Sequence, residues 1–124
     1  MEELLKAAED ALRFAYTPYS RFKVGAALLS KDGRIFTGCN VESAAYGSTM
    51  CAERVAFFKA LSEGVNDFKA IAIVSGKETP CPPCGCCRQV MSEFCEDDFM
   101  IVLQNKVFTL SQLLPESFSN EEIC

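Results

Sequence analysis

The chain has 124 residues, 49% of them hydrophobic, with a net charge of −5 and a pI near 4.7. This length fits one core that buries roughly two thirds of the unfolded surface, so residues 1–124 are read as a single domain. The scattered basic residues form no stripe for phosphates, and no run reaches the ~18 apolar residues of a membrane span. Nucleic acid and membrane are therefore excluded as partners. Glu2 and Glu3 stand where a secretory leader would be basic, so the expected compartment is the cytoplasm.

From Glu2 to Ala15, Leu4, Leu5, Ala8, Ala11, Leu12 and Ala15 recur with helical spacing, which predicts an amphipathic helix broken by Tyr16-Thr17-Pro18. Phe22, Val24, Ala26 and Leu28 alternate as on a strand. Lys31-Asp32-Gly33 is a hairpin turn, and Arg34 to Gly38 returns antiparallel. After an irregular stretch, Cys51 to Ser62 is a helix apolar nearly all round, either buried or pressed against another subunit, and Gly64 ends it. Ala70 to Val74 is a strand covered on both faces. A proline-rich loop from Lys77 to Pro83 leads to a helix starting at Cys84, with Cys87, Val90, Met91 and Phe94 on one face. Met100 to Leu103 is another buried strand, followed by a short strand at Val107 to Thr109, a helical turn near Ser111 to Leu114 and a polar tail. Alternating strands and helices predict partly parallel pairing, which gathers helix N-termini at the carboxyl end of the sheet.

The chain contains eight cysteines and no histidine. In a reducing compartment this points to metal binding or thiol chemistry, not a disulfide framework, and any reaction must run on thiolate, carboxylate and metal. Cys84 and Cys87 lie three apart, so both sulfurs face one side of a first helical turn and can share a tetrahedral ion. Cys51 supplies a third thiolate from the neighbouring helix end, and Glu53 sits beside the ion without having to bind it. Three thiolates and a dication leave an excess negative charge. Two helix N-termini, each worth about half a positive charge, offset part of it, and Arg54 or Arg88 is expected to hydrogen-bond the sulfurs and offset more.

Other uses of the thiols stay open at this point. Cys81-Pro82-Pro83-Cys84 is a second Cys-x-x-Cys, so Cys81, Cys84 and Cys87 are candidate iron–sulfur ligands, although Met91 stands where a fourth cysteine belongs. Cys81 or Cys86 as a fourth ligand would make a closed structural zinc site. A thioredoxin-type dithiol is a third use. Cys39, Cys95 and Cys124 are read as small buried hydrophobes.

Cys51-Ala52-Glu53-Arg54 with Pro83-Cys84-x-x-Cys87-Arg88-Gln89 resembles the zinc-dependent cytidine deaminases of the small-subunit, three-cysteine type. The resemblance extends through Tyr19-Ser20-Arg21-Phe22-Lys23-Val24-Gly25, Gly38-Cys39-Asn40-Val41-Glu42, Ala44-Ala45-Tyr46, Ser62-Glu63-Gly64 and Leu113-Leu114-Pro115 to Phe118. It implies an α/β fold, a three-layer α/β/α sandwich around a mixed five-stranded sheet. It also implies one Zn2+ per subunit held by Cys51, Cys84 and Cys87, with Glu53 as the catalytic proton shuttle; the support of the ligands by Arg54 is expected from the charge argument and its place next to the ligand turn. The implied reaction is hydrolytic deamination of cytidine and 2′-deoxycytidine in pyrimidine salvage. By the same resemblance Phe22, Asn40, Glu42, Ala52, Tyr46 and Phe118 bind the nucleoside, in a homotetramer whose subunits share active sites. Alternatives are a deaminase of another aminopyrimidine nucleoside, of blasticidin type, or a structural-zinc binding module. Ser43 departs from the asparagine the family often has, and the turn between Asn105 and Lys106 is trimmed.

Overall fold

The computed structural model describes residues 2–77 and 81–118. Helix α1 spans Glu2–Ala11, strand β1 Val24–Ser30, β2 Ile35–Cys39, helix α2 Ala52–Ser62, β3 Phe68–Ser75, α3 Gly85–Phe94, β4 Met100–Val102, β5 Val107–Thr109 and the short α4 Leu110–Leu113. The five strands form one sheet in the order β2-β1-β3-β4-β5. β1 pairs antiparallel with β2 and β3, β3 parallel with β4, and β4 antiparallel with β5. It follows that β2, β3 and β4 point the same way. The helices that leave β2 and β3 therefore start at the same end of the sheet.

Side chains alternate across β3 as a doubly covered strand requires. Ala70, Ala72 and Val74 join Ala27 and Val102 under Leu4 and Ala8 of α1. Ile71 and Ile73 join Val24, Ala26, Leu28 and Ile101 under Ala52, Ala56, Phe57 and Ala60 of α2 and Cys87 and Met91 of α3. The result is the expected α/β/α sandwich. Phe57 anchors α2 in an aromatic group with Phe68 and Phe99, at centroid distances of 5.1 and 6.0 Å, and burial of such a side chain is worth about 2–3 kcal/mol.

The first helix ends earlier than its periodicity predicts, at Ala11, with a 3-10 turn at Leu12–Phe14. Tertiary pairing overrides local propensity here. Tyr16 is drawn into extended structure, its N–H donating to Asn40 O and its carbonyl accepting from Glu42 N. Val41 in turn exchanges hydrogen bonds with Met50, so Tyr16, Val41 and Met50 form a small ladder within the stretch read as irregular. The hairpin turn is as predicted, with Gly33 at φ +95°. Cys124 and part of the Lys77 to Pro83 loop lie outside the described residues.

Two glycines let helices touch the sheet backbone to backbone. A Cβ at Gly25 would stand 2.1 Å from Ala8 O, and one at Gly38 would stand 2.3 Å from Ala52 O and 2.7 Å from Ala56 N. Gly38 therefore fixes the depth of the first turn of α2. Gly38→Ala is expected to destabilise the protein by about 1–3 kcal/mol through overpacking, read as a lower urea midpoint. Gly47→Ala, with nothing within 4 Å of the added carbon, should leave the midpoint almost unchanged.

Candidate active site

Cys51 and Cys84 are the N-cap residues of α2 and α3, both with extended backbone, and neither side chain makes a capping hydrogen bond. Serine or aspartate at such a position would turn back onto the helix amides; here the sulfurs are free to point at each other. Cys51 Sγ lies 3.8 Å from Cys84 Sγ, and Cys84 Sγ lies 3.3 Å from Cys87 Sγ. All three sulfurs fall within 4.8 Å of one another. Metal–sulfur bonds of about 2.3 Å in a tetrahedron require sulfurs ~3.8 Å apart, so the cluster is of the size that holds Zn2+. Cys81 and Cys86 are not part of it.

Electrostatics support the same fit. The Arg54 guanidinium donates to Cys51 Sγ at 3.3 Å, and its Nε is buried without a partner. Cys51 is held down to about 5, first by the hydrogen bond from Cys87 and then by Arg54. Cys87 is pushed up, first by that bond to Cys51 and then by burial. The pair is thus unequal, with Cys51 favoured as thiolate and Cys87 as its hydrogen-bond donor. Arg88 does not share this duty: it donates to Pro83 O and Leu113 O, both at 2.8 Å.

Glu53 sits in the first turn of α2 at 5% exposure. Burial, and secondarily the Cys51 charge, push its carboxyl up to about 7. A cleft of about 160 Å3 opens beside it, lined by Val24, Asn40, Thr49, Met50, Cys51, Ala52, Glu53, Cys81, Pro82 and Cys84. Thr49 also lines a second cleft of about 370 Å3 with Tyr19, Ser20, Glu42 and Tyr46, so the two adjoin. A larger groove of about 450 Å3 lies at the opposite end of the sheet, but its Lys31, Asp32, Arg34 and Asp67 pair among themselves.

The expected nucleoside contacts separate into groups. Asn40 and Ala52 line the inner cleft, whereas Glu42 and Tyr46 line the outer one. The Asn40 amide accepts from Val24 N at 2.9 Å and donates to Phe22 O at 2.8 Å, tying the start of β1 to the end of β2. Glu42 accepts from Tyr19 N and Ser20 N, both at 3.1 Å, and from the Ser20 hydroxyl. These bonds, led by that from Ser20, hold its pKa below the usual carboxylate range. Phe22 is half-buried against the core and lines neither cleft. Phe118 is 57% exposed and also lines neither. Sequence reasoning gave no role to Ser20, Thr49 or the cleft-facing position of Cys81. The quoted Tyr19-Ser20 segment was the available signal for the first of these.

Residues 1–103 match the family model described as the cytidine and deoxycytidylate deaminase zinc-binding region. The chain belongs to that family. Among curated relatives, a cytidine deaminase of Sporosarcina psychrophila is 49% identical over 99% of this chain and 94% of its own. Another from Halalkalibacterium halodurans is 52% identical over 97% and 95%. The crystal structure of cytidine deaminase from Burkholderia pseudomallei superposes with a TM-score of 0.89 at 48% identity, covering 94% of this chain and 98% of that one. A blasticidin-S deaminase of Bacillus cereus is only 28% identical. The deaminase family thus accounts for both the sandwich and the sulfur cluster, and one Zn2+ per subunit is its metal.

Arg54→Ala is expected to weaken zinc retention by about 10–100-fold, measured by competition with a chromophoric chelator. The buried Glu53 also predicts a pH effect in metal-free protein. Its folded pKa lies above the ordinary 4.5, so its contribution is fully present below pH 4.5 and is lost as pH rises through about 7. Denaturant titrations should show metal-free Glu53→Gln gaining on the metal-free wild type by about 3 kcal/mol between pH 4.5 and 8.

Proposed function

We propose that this chain catalyses hydrolytic deamination of cytidine and 2′-deoxycytidine to uridine, deoxyuridine and ammonia, a step of pyrimidine salvage. The observation that carries the reading is the buried Glu53 carboxyl beside a cluster of three sulfurs, with a cleft opening onto both. A purely structural metal has four protein ligands and no use for such an acid. The relatives named cytidine deaminase support cytidine as substrate, and the distance to the blasticidin-S enzyme argues against the antibiotic.

Cys51, Cys84 and Cys87 hold the metal, with Arg54 donating to the Cys51 sulfur. When bound, Zn2+ supplies Lewis acidity that brings the pKa of a water toward about 7. Glu53 accepts the proton of the attacking water and delivers it to ring N3, which makes C4 electrophilic. After the water oxygen has bonded to C4, Glu53 takes the remaining hydroxyl proton and passes it to the amino group. That group leaves as ammonia as the C4–N bond breaks and the C4 carbonyl forms, so Glu53 serves as base and afterwards as acid. A buried carboxyl that also lines the cleft is placed for both directions of transfer.

The outer cleft receives the ribose. Glu42, fixed by three donors, offers a preset acceptor to a sugar hydroxyl, and Asn40, lining the inner cleft, is the second ribose contact. Ala52 closes the floor against the base, and Phe22 backs the Asn40 side. Tyr46, 76% exposed, and Phe118 extend from the surface; in a homotetramer with shared sites they reach a neighbouring subunit, with Phe118 stacking on the base. Residues 1–124 form one catalytic domain, acting in the cytoplasm. No helix among the described residues is long and apolar enough to cross a membrane.

Zinc-loaded protein is expected to lower the ultraviolet absorbance of cytidine, to lose this activity on chelation and to regain it with zinc. Glu53→Gln should retain zinc yet lose roughly 10²–10⁴-fold in turnover. Wild-type-like activity in that variant would remove the proton shuttle.

A further inference from the structure

The two residues that follow the last sulfur ligand point away from the cluster and into the C-terminal segment. Arg88 Nε donates to Pro83 O, the carbonyl immediately before Cys84, while its Nη1 donates to Leu113 O, the last residue of α4. Pro83 is fully buried, and a carbonyl at the end of a helix has no partner within its own helix. One planar guanidinium therefore satisfies an acceptor on each of two segments, a geometry its rigid fork favours. One position on, Gln89 Nε2 donates to Phe118 O at 2.9 Å. Between these two anchors the chain reverses at Glu116, which has φ +53°, a conformation a non-glycine residue adopts only at a cost. The side chains of Arg88 and Gln89 offset that cost by holding both ends of the reversal.

We propose that Arg88 and Gln89 are positioning residues that couple the Pro83–Cys84 ligand turn to the 114–118 segment, setting where Phe118 is presented. This rests on the reading above in which Phe118 meets the base. Arg88 acts on both partners: its loss frees the carbonyl beside a metal ligand and the start of the tail. Gln89 acts on the tail alone. The two residues thus predict different signatures. Gln89 variants change substrate affinity without touching the metal, whereas Arg88 variants change both.

Gln89→Glu keeps the shape and removes the donor, and Gln89→Ala removes both. Each is expected to speed amide hydrogen exchange at 114–118 and to raise KM for cytidine about fivefold, the worth of one hydrogen bond. kcat and the rate of zinc release to a chromophoric chelator should stay within about twofold. Arg88→Ala is expected to raise KM similarly and to release zinc about tenfold faster. Arg88→Lys should fail to restore both properties, because an ammonium does not reproduce the fork. Unchanged exchange at 114–118 in Gln89→Glu overturns the clamp. Faster exchange with unchanged KM overturns the positioning role, and unchanged zinc release in Arg88→Ala overturns the coupling to the ligand turn. Absence of cytidine turnover in the wild type would instead defeat the substrate reading, leaving exchange and zinc release to judge the clamp.

Discussion

Gathering three thiols and a carboxylate within a few ångströms is unfavourable unless positive charge is supplied at the same point, and the rest of the structure serves that requirement. The ends of α2 and α3 bring their unsatisfied N–H groups to the cluster, each end contributing about half a positive charge. Arg54 adds a full charge at 3.3 Å from Cys51. A dication completes the balance. Beside this cluster, burial and secondarily the Cys51 charge push the Glu53 carboxyl upward.

The sheet makes this convergence possible. Because β2 and β3 run in the same direction on either side of β1, the helices that follow them begin at one edge. The Tyr16–Val41–Met50 ladder then bridges the gap between β2 and α2. It holds Asn40 and Glu42 on one side of the cleft and delivers Cys51 on the other. Residues that touch no metal thus decide where the acid and the sulfurs meet.

Much of this was legible in the sequence. Periodicity placed the strands and helices because each has one dominant environment: β3 is covered on both faces, and α1 has one apolar stripe. Cys-x-x-Cys spacing works across a first helical turn, so the clustering of the sulfurs was legible too. The end of α1 was not, since the extended backbone at Tyr16 comes from pairing with residues some 25 positions away, which no local pattern encodes. Arg88 was grouped with Arg54 because both are cations close to the sulfurs in sequence and the cluster needs positive charge. One position along a helix turns a side chain by ~100°, and Arg88 consequently faces Pro83 and Leu113. The split between an inner and an outer cleft was also hidden, because it depends on loops packing together.

The contact at Gly38 divides the binding region into a stiff wall and a pliable one. On the α2 side, backbone lies on backbone with no side chain between helix and strand to take up a change in shape. The opposite side is built from the loop residues Cys81, Pro82 and Cys84. Any broadening of ligand choice, by natural drift or in the laboratory, has to be accommodated on that second side, and libraries aimed at it will retain more folded members than libraries aimed at the first.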